Sequence, residues 1–129
     1  MSPAEQTPIR DGELIASVDM GSNSFHMVVA RVEHGEPRVI DRLRDTVRMA
    51  AGLRADGSLD AAHRTRALAC LARFGQRIAG LPALRVRAVA TNTVRRLASP
   101  QVFLTAAEAA LGHPIEIVSG REEGRLIFL

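Results

Sequence analysis

At 129 residues, 47% of them hydrophobic, the chain can bury one core and reads as one domain. Aromatic residues make up only 3%, with no Trp or Tyr, which argues against a base-stacking platform and so against a specific nucleic-acid partner. Every basic residue is Arg and the net charge is only +3, so the chain is no polycation. Its arginines alternate with acids through Asp41-Arg42-Leu43-Arg44-Asp45 instead of clustering, yet a modest positive field suits a polyanionic substrate.

Residues 1–12 are polar, with two Pro and no apolar targeting core, and read as a short disordered tail before a domain spanning 13–129. The apolar run that follows is far too short to span a bilayer. A lone cysteine, Cys70, cannot form an internal disulfide and fits a reducing cytosol, so a cytoplasmic location is expected. It stands in an apolar helical stretch and reads as a buried small hydrophobe.

Leu14 to Met20 predicts a first strand and Phe25 to Val32 a second. Between them Asp19 closes one strand, Gly21 lets the chain turn tightly, and Ser22, Asn23 and Ser24 offer hydroxyl, amide and main-chain N–H donors suited to an anion. These are also the residue types that any polar turn prefers. His34-Gly35-Glu36-Pro37 is a turn into a third strand from Arg38 to about Met49, completing an antiparallel meander. There Val39, Leu43 and Val47 are spaced by four and equally fit a helix face.

A glycine-punctuated loop leads to Asp60, the expected N-cap of a helix reaching about Ala79, with Leu68, Leu71, Phe74 and Ile78 as its core stripe. Arg85 to Ala90 alternates and predicts a fourth strand, parallel because a helix precedes it. Ser99 and Pro100 open a helix that Gly112 closes. A brief strand at Ile115 to Val118 follows, then a helix from near Arg121. His26 alternates with apolar neighbours and reads as a packed or supporting ring; His34, His63 and His113 read as loop or helix-surface groups. No His or Cys spacing supports a zinc site.

Three segments then carry a resemblance in order: Val18-Asp19-Met20-Gly21-Ser22-Asn23-Ser24-Phe25-His26-Met27, Thr91-Asn92-Thr93-Val94-Arg95-Arg96, and Ile115-Glu116-Ile117-Val118-Ser119-Gly120-Arg121-Glu122-Glu123-Gly124-Arg125. Together they resemble the Ppx/GppA phosphatases, the exopolyphosphatases and guanosine pentaphosphate phosphohydrolases of the actin, sugar-kinase and Hsp70 superfamily. The likeness covers about Glu13 to Leu129 and is nearest to the exopolyphosphatase branch.

The resemblance implies a ribonuclease-H-like α/β fold, a mixed sheet with flanking helices. It implies a substrate of linear polyphosphate or guanosine pentaphosphate, Mg²⁺ as cofactor, and a homodimeric full-length parent. Gly21, Ser22, Asn23 and Ser24 correspond to its first phosphate loop, Arg95 to an arginine on the phosphate chain, and Glu123 to the general base. Gly124 stands where family members commonly have Ala. Arg96 reads as a solvated charge. Asp19 is the one carboxylate expected near a metal, through water, because an anion beside a phosphate needs a cation between them; it equally fits an Asx cap of the turn. Glu122 and Glu123 also fit a first helical turn, where acids favour the macrodipole.

Leu129 falls inside an apolar, helical pattern with no stop signal, so the chain reads as a truncated piece. The resemblance implies that a second phosphate loop and a second actin-like domain would follow, leaving this chain as one wall of a cleft. A non-hydrolytic polyphosphate- or nucleotide-binding regulator is the alternative, and it would require no base at Glu123. A sugar kinase is disfavoured, for want of a sugar-reading region.

Overall fold

The computed structural model describes residues 8–118. Its centre is a five-stranded sheet built from β1 (Leu14–Met20), β2 (Phe25–Glu33), β3 (Glu36–Asp45), β4 (Val86–Ala90) and β5 (Glu116–Ile117), in the spatial order β3-β2-β1-β4-β5. The meander is antiparallel as expected, with Met20 opposite Phe25 and Phe25 opposite Asp45. β4 pairs with β1 in parallel, Met20 beside Ala90, and β5 pairs with β4 in parallel. The ends of β1 and β4 therefore point the same way, the arrangement in which open α/β sheets bind ligands.

Two helices, α2 (Ala61–Arg77) and α4 (Pro100–Leu111), cover one face. Their buried Leu71, Phe74, Phe103 and Leu111 join Val18, Met20, Phe25 and Met27 of the sheet in one core. Each such side chain contributes about 1.5–3 kcal/mol by leaving water. Gly75 lets the helices approach: a Cβ there would stand 2.6 Å from the Leu111 carbonyl oxygen. Asp60 caps α2 as expected, its Oδ1 accepting from the N–H groups of Ala62 and His63 at 2.8 and 3.1 Å. Gly112 closes α4 with a φ of +83°. Ser99 occupies the N-cap position, but its side chain makes no capping bond.

Several expectations are corrected. The third strand ends at Asp45, not near Met49, because its partner β2 begins opposite it at Phe25 and the chain then turns, Val47 N–H donating back to the Asp45 carbonyl at 3.1 Å; Arg48 follows with a left-handed φ of +60° and leads into a short helix, α1 (Met49–Gly52). A one-turn helix, α3 (Asn92–Arg95), stands directly after β4 where no helix was expected. His26 is exposed, not packed, while His113 is buried rather than at the surface. Within the expected tail, Gly12 donates to the Val32 carbonyl at 2.7 Å and Asp11 accepts from Gly35 N–H at 3.0 Å, which ties these residues to β2 and its turn. The helix expected from near Arg121 lies outside the described residues. No helix among those described is long and apolar enough to cross a membrane.

One face of β3 is fastened to α2 by ion pairs. Asp45 bridges Arg66 and Arg73, and Asp41 meets Arg77 at 2.9 Å. Cys70 lies buried beneath this layer, and burial, aided by the negative charge of Asp45, pushes its thiol up to about 12.

Candidate functional site

The loop after β1 is closed by Gly21, whose N–H donates to the Ser24 carbonyl at 3.0 Å. Its need for glycine is one of space, since a Cβ on Gly21 would stand 2.9 Å from that same oxygen. Two further carbonyls are held from behind: Ala50 N–H donates to Ser22 O at 2.9 Å and Arg48 N–H to Asn23 O at 2.8 Å. Arg48, whose N–H meets the loop, holds a left-handed backbone uncommon for a non-glycine residue. Among the described residues, the main-chain N–H groups of Ser22, Asn23 and Ser24 have no acceptor. A turn with the carbonyls of Ser22, Asn23 and Ser24 engaged and their own N–H groups uncommitted can receive an anion.

The loop after β4 is joined to it. Thr91 donates to the Met20 carbonyl through both its N–H, at 3.2 Å, and its Oγ1, at 3.3 Å. Thr93 Oγ1 donates to Ser22 Oγ at 2.7 Å. These threonines were not singled out from sequence, although they lie in the recurring Thr91-Asn92-Thr93 run; the missing signal was the pairing of β4 directly beside β1. Ser24, buried, accepts from Arg44 Nη2 at 3.4 Å.

Asp19, half-buried near the end of β1, has a buried Oδ1 without a hydrogen-bond partner among the described residues. It does not cap the turn, because Gly21 N–H is engaged by Ser24 O. A single orphaned carboxylate oxygen beside an anion loop suits a hard cation held by one carboxylate, waters and phosphate oxygens. Among the described residues no group of three or more His, Cys, Asp or Glu side chains could cage a metal alone.

Arg95 ends α3 and is exposed, without an ion-pair partner among the described residues. Among the described residues no hydrogen bond joins Arg95 to the loop after β1. Glu122 and Glu123 lie outside the described residues; β5, which precedes them in sequence, runs parallel to β4.

The mixed sheet with flanking helices is that of the ribonuclease-H-like, actin-like class. RuvC of Thermus thermophilus, at 11% identity and a TM-score of 0.50 over 87% of this chain and 68% of its own, is similar in fold alone. The family model of the Ppx/GppA phosphatase family matches residues 28–129, and the chain belongs to that family. Among solved structures it is similar to the Aquifex aeolicus PPX-GPPA enzyme, with 26% identity and a TM-score of 0.77 over 87% of this chain and 38% of that one. It is also similar to an exopolyphosphatase from Cytophaga hutchinsonii, with 25% identity and a TM-score of 0.78 over 90% of this chain and 37% of that one. The chain thus spans less than two-fifths of the length of these relatives.

Proposed function

We propose that this chain forms one wall of an exopolyphosphatase, which releases terminal orthophosphate from linear polyphosphate. The observation that carries the reading is the double-loop arrangement: uncommitted N–H groups of Ser22, Asn23 and Ser24 after β1, joined through Ser22 to Thr93 after β4. The exopolyphosphatase among its structural relatives supports the substrate class.

In this reading the first loop holds one phosphate by N–H and hydroxyl donors, and Arg95 reaches a second with its planar fork. Glu123 takes a proton from water as the water oxygen bonds to the terminal phosphorus and the bridging P–O bond breaks. Orthophosphate and a chain one phosphate shorter are the products. Asp19 would hold Mg²⁺ through water, and the cation would neutralise charge on the phosphoryl oxygens. Guanosine pentaphosphate presents the same terminal anhydride and is the second substrate to compare.

The test is phosphate release from both substrates by the full-length protein and its Glu123→Gln variant. Loss of the base is expected to lower kcat by about 10²–10⁴-fold with KM little changed. A Glu123→Gln enzyme of normal turnover, or a wild type that binds polyphosphate without releasing phosphate, overturns the reading and favours a non-hydrolytic binder. Glu122→Gln is expected to be milder.

A further inference from the structure

The two faces of β3 differ in charge balance. Asp41 and Asp45 point to α2 and pair with its Arg66, Arg73 and Arg77. The alternating residues Arg42 and Arg44 fall on the opposite face, where, among the described residues, neither has a carboxylate partner. Arg44 stands opposite His26, which stands opposite Asp19, so the row Asp19, His26, Arg44 crosses β1, β2 and β3 beside the anion loop. With neighbouring strands about 4.8 Å apart, Arg44 lies roughly 10 Å from Asp19 along this row. Its guanidinium touches the loop through Ser24 Oγ at 3.4 Å. Arg42 follows two residues back along the strand, opposite Val28 and likewise exposed.

We propose that Arg44 and Arg42 form a second anion subsite, bordering the loop at Ser24, which holds phosphates of a linear polyanion beyond those at the loop. This rests on the polyphosphate reading and makes it more specific: a long chain gains contacts that a short one cannot reach. Arg44 anchors the near end of the subsite because it is already oriented by Ser24. Arg42 extends it away from the loop. The arginines of α2 cannot serve in the same way, since Arg66, Arg73 and Arg77 stand on the other side of β3 and are paired.

The experiment is calorimetric binding of tripolyphosphate and of long-chain polyphosphate to the full-length protein, its Arg44→Gln and Arg42→Gln/Arg44→Gln variants, and Arg64→Gln. Arg64 is an exposed arginine on α2 and controls for net charge. Each exposed subsite arginine is expected to contribute about two- to fivefold in affinity for the long chain. Tripolyphosphate affinity should be nearly unaltered in every variant. Equal long-chain affinity in the double variant and the wild type overturns the subsite, as does an equal loss for both ligands or a matching loss in Arg64→Gln. Because the readout is binding, the subsite's failure is distinct from that of the proposed activity, which shows as absent phosphate release.

Discussion

Thr93 Oγ1 donates a hydrogen bond to Ser22 Oγ across 2.7 Å, joining α3 to the loop after β1 through residues 71 positions apart in the chain. The bond is partly buried, and Thr93 itself is 3% exposed, so a lost partner leaves a polar group poorly served by water. Thr93→Val keeps the shape and removes the donor. It is expected to lower unfolding stability by about 1 kcal/mol, and Thr93→Val combined with Ser22→Ala by less than the sum of the two. Urea unfolding of the single and double variants measures this, and strict additivity would show that the two hydroxyls do not cooperate.

Arg95 and Arg96 are adjacent, exposed and without ion-pair partners among the described residues, so their roles are separable only by function. Arg95→Lys retains charge but not the fork and, if Arg95 grips phosphate as proposed, is expected to lower polyphosphate affinity or turnover. Arg96→Ala should behave as an ordinary surface change, within about 0.5 kcal/mol in stability and with normal kinetics. Steady-state kinetics on the two full-length variants decide it, and a crippled Arg96→Ala enzyme would reverse the assignment.

Asp60 provides a pH dependence whose sign follows from its bonds. The His63 N–H and then the His63 side chain, with Ala62 N–H, hold its carboxyl below the ordinary value of 3.8. Glu13 is held low in the same direction by its hydrogen bond from Arg85 and the N–H of Arg10. A depressed folded-state value stabilises the fold above the unfolded value and is lost as pH falls through the folded one. The melting temperature should therefore hold near neutrality and decline in acid, beginning at about pH 4. In Asp60→Asn the decline should be shallower, because the amide oxygen can still cap but cannot titrate. Thermal melts across the acid range test this, and an identical acid slope in Asp60→Asn would exclude Asp60 as a source.

Cys70 should be silent in the native protein. With its thiol pushed up to about 12 and its surface fully covered, almost no thiolate is available at neutral pH. An electrophilic maleimide is expected to label it only after denaturant unfolds the chain. Rapid stoichiometric labelling of folded protein, followed by intact mass, would show that the α2 layer opens readily.

The strand pattern was legible because period-two alternation and turn residues agree over Leu14 to Glu33, and β1 was bounded correctly at both ends. The end of β3 was hidden because it is set by its partner, which begins at Phe25 opposite Asp45, and the left-handed backbone of Arg48 beyond it has no local signature at a non-glycine residue. α3 was hidden for a related reason, being too short to show periodicity. In the candidate site, Gly21 to Ser24 stood out by residue type. Thr93, Arg44 and the main-chain groups of Arg48 and Ala50 did not, since each becomes relevant only through contacts distant in sequence. His113 was misjudged because polarity alone says nothing of the pocket between helix ends in which it is buried.

The parallel pairing of β1 with β4 also has a kinetic meaning. The β1–β2 hairpin can form from local contacts, but its turn then lacks Thr93 and the bonds that Thr91 makes to Met20. Those arrive only when a segment some 71 positions away docks alongside, a slow closure by comparison with hairpin formation. The loop is thus completed only with the most distant pairing of the sheet, and a nascent chain emerging only as far as α2 would carry the loop and its Arg48 and Ala50 braces without the contacts that Thr91 and Thr93 add.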